Sequence, residues 1–181
     1  MTTPTTPTAT TAVGTRRHLV LQDTPVGPLT LVAEDGALVG VWMEDQRHHP
    51  GDAAHGRAAR PDDPFLLLVA DQLREYFAGE RTAFDLSLAP QGTEFQRRVW
   101  AALVEIPYGE TTSYGELAQR LGSPGASRAV GLANGRNPIG IVIPCHRVVG
   151  SAGGLTGYGG GLERKRVLLD HESRVAGHRL F

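Results

Sequence analysis

The chain has 181 residues, 40% of them hydrophobic and 20% charged, and a formal net charge of −1, which is typical of a globular protein with one domain or two small ones. Its single cysteine, Cys145, excludes an internal disulfide and a zinc site built on several thiolates. No apolar run reaches the roughly 18 residues of a membrane span, so we expect no membrane segment and a cytoplasmic location.

The first 90 residues predict a tail and a small α+β domain. Residues 1–16 are rich in threonine and lack an apolar core, so we expect a disordered tail. HLVLQD, PLTLVAED and ALVGVWME predict three short strands, because the turn-forming segments TPVG and EDG separate them. PFLLLVADQLREYFAGE predicts an amphipathic helix that begins at Pro64, and FDLSL predicts a fourth strand. We expect this domain to cover residues 17–90.

Residues 44–63 are polar and interrupted by proline and glycine, which predicts a loop. This loop contains His48, His49 and His55. Because no carboxylate or thiol pattern frames them, we interpret them as solvated histidines and predict no metal site.

Beyond the linker APQGT, the sequence predicts a helical domain over residues 91–181. TEFQRRVWAALVEI begins with Thr93 and Gln96 at capping-box spacing, and SYGELAQRLG begins with Ser113 and Glu116 at the same spacing. SPGASRAVGLANGRN predicts a further short helix after a turn, so the last two helices match a helix-turn-helix.

The last of these helices has an unusually smooth face on which Arg128 is the one long side chain. Its small residues are Ala126, Ala129, Gly131, Ala133 and Gly135. A tight helix–helix contact and close approach to a narrow groove both explain such a face.

Residues 93–181 hold 11 basic and 7 acidic residues, whereas residues 1–92 hold 7 basic and 12 acidic ones. The basic excess favours a polyanionic partner.

The only cysteine lies in IVIPCHRVVG, residues 141–150. IGIVI predicts a buried strand that ends at Pro144, so Cys145 is expected where a strand gives way to a loop. A free thiol needs a neighbour that stabilises its thiolate. His146 is the candidate, provided that the backbone turns or a water bridges the two groups, because adjacent side chains on a strand point apart. A buried packing cysteine and a nucleophile both remain open at this point.

Three further features surround the cysteine in the sequence. Asp170 and Glu172 are both candidates to orient His146, and the residues themselves do not choose between them. The segment GSAGGLTGYGGG has 7 glycines in 12 residues, which suits either a flexible linker or a backbone pressed against a ligand. Of 18 basic residues only Lys165 is a lysine.

Four segments resemble, in order and spacing, the O6-alkylguanine-DNA alkyltransferases, also called methylated-DNA–protein-cysteine methyltransferases. They are IPYGETTSYGELA, SRAVGLANGRNP, NPIGIVIPCHRVVG and GYGGGLERKRVLLDHE, within roughly residues 90–173. The N-terminal part resembles the companion domain of the family only in its element order. The resemblance implies an α+β protein. A small ribonuclease-H-like N-terminal sheet of three to four antiparallel strands with a helix precedes a helical C-terminal domain with a helix-turn-helix and a short active-site strand.

The resemblance favours the nucleophile and implies direct-reversal DNA repair without a cofactor. Cys145 would irreversibly accept the alkyl group of O6-alkylguanine, and also of O4-alkylthymine, from a base flipped out of the duplex, once per molecule. His146 would take the thiol proton through a water, and Glu172 would orient that imidazole. Tyr114 would donate toward the leaving guanine, and Lys165 matches a lysine near the active site of the family.

The resemblance also implies how DNA is bound. The partner would be double-stranded DNA, contacted by a monomer through the minor groove with little sequence specificity, and the protein would associate with the bacterial nucleoid. The implied DNA-binding residues are Ser113, Tyr114, Ala126, Arg128, Ala129, Gly131 and Asn134. The implied base pocket is lined by Asn137, Val148, Tyr158 and Gly159, with Asn137 tying the recognition helix to the active-site segment.

Two alternative functions use the same residues. A non-catalytic helix-turn-helix sensor would bind alkylated DNA without any covalent change at Cys145. A cysteine hydrolase would use Cys145 and His146 to turn over esters or amides.

Overall fold

Three consecutive strands form an antiparallel sheet in the N-terminal half of the protein, seen in a computed structural model that describes residues 15–177. They are β1 (Arg17–Leu21), β2 (Leu29–Glu34) and β3 (Ala37–Met43). Helix α1 (Pro64–Ala78) packs on this sheet, with Pro64 in its first turn and Asp63 accepting a hydrogen bond from the Leu66 amide at 3.0 Å. The three predicted strands and the predicted helix are thereby confirmed.

The fourth strand does not lie where the sequence predicted it. FDLSL, residues 84–88, forms no strand, although its backbone exchanges two hydrogen bonds with Leu38 through Ser87 and Ala89. The observed strand β4 (Arg57–Ala58) comes from the predicted 44–63 loop and pairs parallel to β1. Alternating apolar residues indicate which side chains face the core, and they do not determine whether the backbone joins a ladder. The sheet order is β3-β2-β1-β4.

The loop before β4 also differs from its prediction. His55 ends a short turn of 3-10 helix (Asp52–His55) and is only 4% exposed, so it is not a solvated histidine. The predicted disordered tail, residues 1–16, lies outside the described residues except for its last two. Of these, Arg16 belongs to the fold, because its guanidinium pairs with Glu34 at 2.8 Å.

Four helices and one short strand pair form the C-terminal half. They are α2 (Glu94–Val104), β5 (Thr112–Ser113), α3 (Tyr114–Arg120), α4 (Ser127–Gly135), β6 (Val148–Val149) and α5 (Leu162–Val175). Strands β5 and β6 pair in parallel. Both predicted capping boxes are present, at Thr93 with Gln96 and at Ser113 with Glu116. Helices α3 and α4 contact each other as the predicted helix-turn-helix.

The predicted strand over IGIVI is wrong. Residues 139–143 are buried, but they form consecutive turns in which the Ile143 amide bonds to the Ile139 carbonyl at 2.9 Å. Ile141 has a φ of 69°, a left-handed conformation that is rare for a β-branched residue. The apolar run therefore predicted burial correctly and conformation incorrectly.

Backbone hydrogen bonds join this turn segment to the N-terminal sheet. The Val41 amide on β3 donates to the Pro138 carbonyl at 2.9 Å, and the Gly140 amide donates back to the Val41 carbonyl at 3.3 Å. Buried side chains from both halves form one continuous core. None of the helices within residues 15–177 is long and apolar enough to cross a membrane.

Candidate active site

Cys145 and His146 begin a single turn of 3-10 helix (Cys145–Arg147) that follows the buried turns. Cys145 is 7% exposed and His146 is fully buried. A backbone turn was one of the two ways in which a neighbouring imidazole could reach the thiol. The structure thus supplies the turn where the sequence predicted the end of a strand.

Glu172 on α5, and not Asp170, is the acidic residue beside His146. Its Oε1 lies 2.7 Å from Nε2 of His146, and it is 1% exposed, whereas Asp170 is exposed. Arg147 donates to both oxygens of the same carboxylate, from Nε at 2.8 Å and from Nη2 at 3.0 Å. The Tyr76 hydroxyl on α1 donates to Oε1 at 2.8 Å. Paired and multiply hydrogen-bonded, this buried carboxylate remains ionised.

Arg147 and Tyr76 are site residues for which the sequence indicated no role. Arg147 also donates from Nη1 to the Ile106 carbonyl at 2.7 Å, which fixes the plane of its guanidinium. Tyr76 is fully buried and comes from the N-terminal half. The arginine follows directly after His146 in the chain, so its charge was a usable signal, but no local pattern connects Tyr76 to Glu172, 96 residues away.

The bond to Glu172 determines the tautomer of His146. An ionised carboxylate only accepts, so Nε2 of His146 carries the proton and Nδ1 holds a free lone pair. Nδ1 is buried and forms no hydrogen bond with the described residues. Burial lowers the pKa of His146 more than the attraction of Glu172 raises it, so the imidazole is neutral at pH 7. It is therefore poised to accept a proton at Nδ1.

The neighbouring groups set the protonation of Cys145 and Glu172. Burial raises the pKa of the Cys145 thiol, and the hydrogen bond from Asn137 and the charge of Lys165 only partly offset this. Burial also acts to raise the pKa of Glu172, but the hydrogen bonds and charges of His146 and Arg147 outweigh it and hold that pKa well below its usual range. A protonated thiol is thus followed in the chain by a neutral base that an ionised carboxylate orients.

Lys165 and Tyr114 both bind the glycine-rich segment after β6. The Lys165 ammonium is fully buried and donates to the carbonyls of Val148 at 2.6 Å and Thr156 at 2.8 Å. The Tyr114 hydroxyl, at the start of α3, donates to the same Thr156 carbonyl at 3.2 Å. Burial lowers the pKa of Lys165 to about 8, while Cys145 acts in the opposite direction. The segment is therefore an anchored loop, not a free linker.

Two asparagines connect α4 to the thiol segment. Asn137 donates from Nδ2 to the Ile143 carbonyl at 2.8 Å and accepts from the Ile139 amide at 3.0 Å, so it braces the turns before Cys145. Asn134 donates to the Cys145 carbonyl at 3.3 Å and is 3% exposed. Its side chain therefore points inward from α4, and its assignment to the DNA-binding residues stays a prediction.

The cavity beside Cys145 is nearly closed. Its volume is about 10 Å³, roughly the room that one water molecule needs. Three of the four residues predicted for the base pocket, Asn137, Tyr158 and Gly159, line this cavity, and Val148 does not. Gln46 from the N-terminal half also lines it, which the sequence did not indicate. At Gly160 an added Cβ would collide with the sulfur of Met43 and with the Tyr158 ring, so only glycine fits there.

One side of the smooth face of α4 is exposed among the described residues. Arg128 and Ala129 are exposed, and Leu132 on the same side is 66% exposed although it is apolar. Gly131 faces the Tyr114 ring, whose carbons would lie 3.6–3.7 Å from an added Cβ. Ser113 and Ala126 are half-buried at the starts of α3 and α4. Contact with neighbouring helices therefore explains the small size of Gly131 and of the buried Ala133, while Ala129 and Leu132 face outward.

Two domains of one protein family match the two halves of this chain. The 6-O-methylguanine DNA methyltransferase DNA binding domain matches residues 94–174, and the ribonuclease-like domain of the same methyltransferase matches residues 18–90. The chain belongs to the 6-O-methylguanine DNA methyltransferase family. The second match agrees with the ribonuclease-H-like N-terminal sheet that the sequence implied.

The matches to individual relatives extend over nearly the whole length of each relative. The methylated-DNA–protein-cysteine methyltransferase of Mycobacterium tuberculosis is 55% identical over 159 residues, which cover 88% of this chain and 94% of the relative. The protein of the same name from Methanosarcina acetivorans is 48% identical over 86% of this chain and 97% of its own. The crystal structure of Mycobacterium tuberculosis OGT in complex with DNA has a TM-score of 0.76 and 51% identity, covering 88% of this chain and 93% of that one.

Proposed function

We propose that this protein repairs alkylated DNA directly, as a methylated-DNA–protein-cysteine methyltransferase. It transfers the alkyl group from O6 of guanine, and also from O4 of thymine, to Sγ of Cys145. The observation that carries this function is a buried thiol directly before a neutral His146, whose Nδ1 is free and whose Nε2 lies 2.7 Å from the ionised Glu172. Cys145 is the only cysteine, so a thioether formed there ends the activity of the molecule.

The transfer is a one-step displacement at the alkyl carbon. The thiol proton moves to Nδ1 of His146 through a bridging water, and the resulting imidazolium lies against Glu172. The thiolate Sγ forms a bond to the alkyl carbon while the carbon–oxygen bond breaks and its electron pair remains on the base. The Tyr114 hydroxyl donates to the base and stabilises this developing charge. No cofactor takes part, and none regenerates the thiol.

Lys165 acts on the same step through its charge and through the loop. Its ammonium favours the thiolate over the thiol, because a nearby cation stabilises the charged form. Its bonds to the carbonyls of Val148 and Thr156 also hold one wall of the base pocket. Asn137, Tyr158 and Gly159 complete that pocket.

Double-stranded DNA binds to the exposed side of α4, in the minor groove and with little sequence specificity. Ala126, Ala129 and Gly131 allow close approach of the helix, and Ser113 and Tyr114 contact the strand from the start of α3. Arg128 fills the space that the flipped base leaves. We add Leu132 to this face, because its exposed apolar side chain fits against sugars at the floor of the groove. The protein acts as a monomer in the cytoplasm, at the nucleoid.

The chain divides by task at residue 90. Residues 91–181 hold the DNA-binding face and the alkyl acceptor, and residues 17–90 support them through Tyr76 and Gln46. The boundaries of the two matched family domains, residues 18–90 and 94–174, support this division.

Because the cavity at Cys145 has room for about one water, the loop bearing Tyr158 has to move outward when a base enters.

Intact mass measurement tests the proposal. The full-length protein and Cys145→Ala are mixed with a duplex that contains one O6-methylguanine. We expect one methyl group per molecule, mapped to Cys145 and absent from the variant. Unchanged mass with retained binding would overturn alkyl transfer in favour of a DNA-damage sensor. Turnover of ester or amide substrates without methylation would favour a cysteine hydrolase instead.

A further inference from the structure

Three side chains that bind metals in other proteins meet in the loop before β4. His49, Asp52 and His55 are spaced three residues apart, and each offers a nitrogen or oxygen atom within 4.8 Å of the others. Oδ1 of Asp52 lies 4.0 Å from Nδ1 of His55. The turn of 3-10 helix from Asp52 to His55 produces this arrangement, because its repeat of about three residues places Asp52 and His55 on one side.

His55 is the buried centre of this group. It is 4% exposed, and its Nε2 forms no hydrogen bond with the described residues. Its ring contacts two other imidazoles, with centroids 4.9 Å away at His49 and 5.9 Å away at His18. Nδ1 of His18 is also buried and without a hydrogen bond to the described residues. A buried polar atom without a partner costs about 1–3 kcal/mol, so the unpaired Nε2 of His55 indicates a missing partner.

We propose that His49, Asp52 and His55 form a binding site for a divalent transition-metal ion of the zinc class. Two imidazoles and one carboxylate are a donor set that zinc prefers, and water completes the coordination. In a tetrahedral zinc site the ligand atoms lie about 3.4 Å apart. The observed separations therefore have to shorten by little more than 1 Å.

The loop can make this adjustment at small cost. The Asp52 side chain is fully exposed, so it can turn toward the ion without disturbing any packing. Nδ1 of His49 accepts a hydrogen bond from the Gly51 amide at 3.1 Å, so coordination through this nitrogen would break that bond, whereas coordination through Nε2 would keep it. A single exposed hydrogen bond contributes about 1 kcal/mol, far less than a zinc–ligand set provides. The nearby Arg16 guanidinium is already paired with Glu34.

A metal at this place would fasten the loop to the sheet. His55 directly precedes β4, which pairs with β1 at Arg17 and His18. The same loop begins with Gln46 and Arg47, and the Arg47 amide donates to the Gly159 carbonyl in the base pocket at 2.8 Å. The site is distinct from the alkyl acceptor, and it does not depend on the proposed function.

Zinc titration of untagged, full-length, chelator-treated protein tests this site. Calorimetry is used on the wild type, on Asp52→Asn and His49→Gln, and on the control His48→Gln, which changes an exposed neighbour outside the cluster. His55 is left intact because it is buried. We expect one zinc ion per chain and a higher Tm with zinc. Affinity should fall roughly tenfold or more in both ligand variants and stay unchanged in the control.

Cobalt absorption identifies the ligands independently. Cys145 is the only thiol, so a thiolate-to-cobalt charge-transfer band would place the metal at the alkyl acceptor and overturn the proposal. A tetrahedral cobalt spectrum without this band supports the nitrogen and oxygen ligands. Absence of zinc binding, or equal affinity in the wild type and in both ligand variants, would also overturn the proposal.

Discussion

At the scale of single residues, the site depends on buried charges that are fully paired. The Glu172 carboxylate accepts from His146, Arg147 and Tyr76, so its desolvation is offset, and it remains ionised beside the imidazole. From the sequence, Asp170 and Glu172 were equivalent candidates. Their positions on α5 distinguish them, because two residues apart on a helix point to different sides. Only the packing direction of that helix decides which one is buried.

Lys165 is the residue whose charge can be tested most directly. Lys165→Met removes an ammonium that lowers the pKa of Cys145, so the thiol pKa should rise and less thiolate should be present at neutral pH. The difference between the variant and the wild type in the reactivity of Cys145 should be largest below pH 8, where Lys165 is cationic. It should shrink above pH 8, because the pKa of Lys165 is about 8. The rate of iodoacetamide reaction with Cys145, followed against pH, measures the shift.

Arg166→Met is the matched control for this charge effect. Arg166 is the next residue of α5 but is exposed, so water screens its charge from the thiol. Its pH profile should overlay that of the wild type. An unchanged profile in Lys165→Met, or an equal shift in both variants, would contradict a specific action of Lys165 on the thiolate.

At the scale of elements, the sequence predicted helices better than strands. The capping boxes at Thr93 and Ser113 are local signals, since donor and acceptor lie three residues apart, and both predicted helix starts are confirmed. The strands predicted at residues 84–88 and 139–143 are wrong, because each segment makes only one isolated bridge to β3 and does not extend it into a ladder. The turns at Ile141, with its positive φ, satisfy the backbone locally while the side chains remain buried.

If DNA binds to the exposed side of α4, a charge placed on that side should weaken binding more than a charge placed elsewhere. Ala129→Glu adds a negative charge to the exposed side of α4 and should lower duplex affinity by about tenfold or more, because it repels phosphates and blocks close approach. Val104→Glu is the control, since Val104 is 51% exposed at the end of α2, away from that face. Fluorescence anisotropy with a labelled duplex measures both. Equal losses in the two variants would indicate a general charge effect and not a binding face on α4.

At the scale of the whole molecule, the N-terminal half supports an active site that lies in the C-terminal half. The Tyr76 hydroxyl on α1 reaches Glu172, and Nε2 of His171 lies 2.7 Å from the Tyr76 carbonyl. Arg164 on α5 donates to the Glu44 carbonyl at 2.7 Å. Sequence patterns revealed each half separately, but these contacts join residues up to 120 positions apart and depend on how the halves pack.

Tyr76→Phe tests whether this support reaches the chemistry. It removes one buried hydrogen bond to the Glu172 carboxylate and should lower the free energy of unfolding by about 1–2 kcal/mol. The rate of methyl transfer from a duplex with O6-methylguanine should also fall, because Glu172 then holds His146 less firmly, while DNA affinity should stay the same. Denaturant unfolding, quenched-flow methylation and duplex binding measure the three quantities.

Tyr108→Phe is the control, because it removes a buried tyrosine hydroxyl without removing a hydrogen bond to Glu172. The centroid of the Tyr108 ring lies 6.1 Å from that of Tyr76. The Tyr108 hydroxyl is buried, but it forms no hydrogen bond with the described residues. Its removal should therefore leave stability and rate near wild type. If both variants lose the same stability and the same rate, the effect comes from packing in this region. If only Tyr76→Phe slows methyl transfer, the N-terminal half takes part in orienting the catalytic imidazole through Glu172.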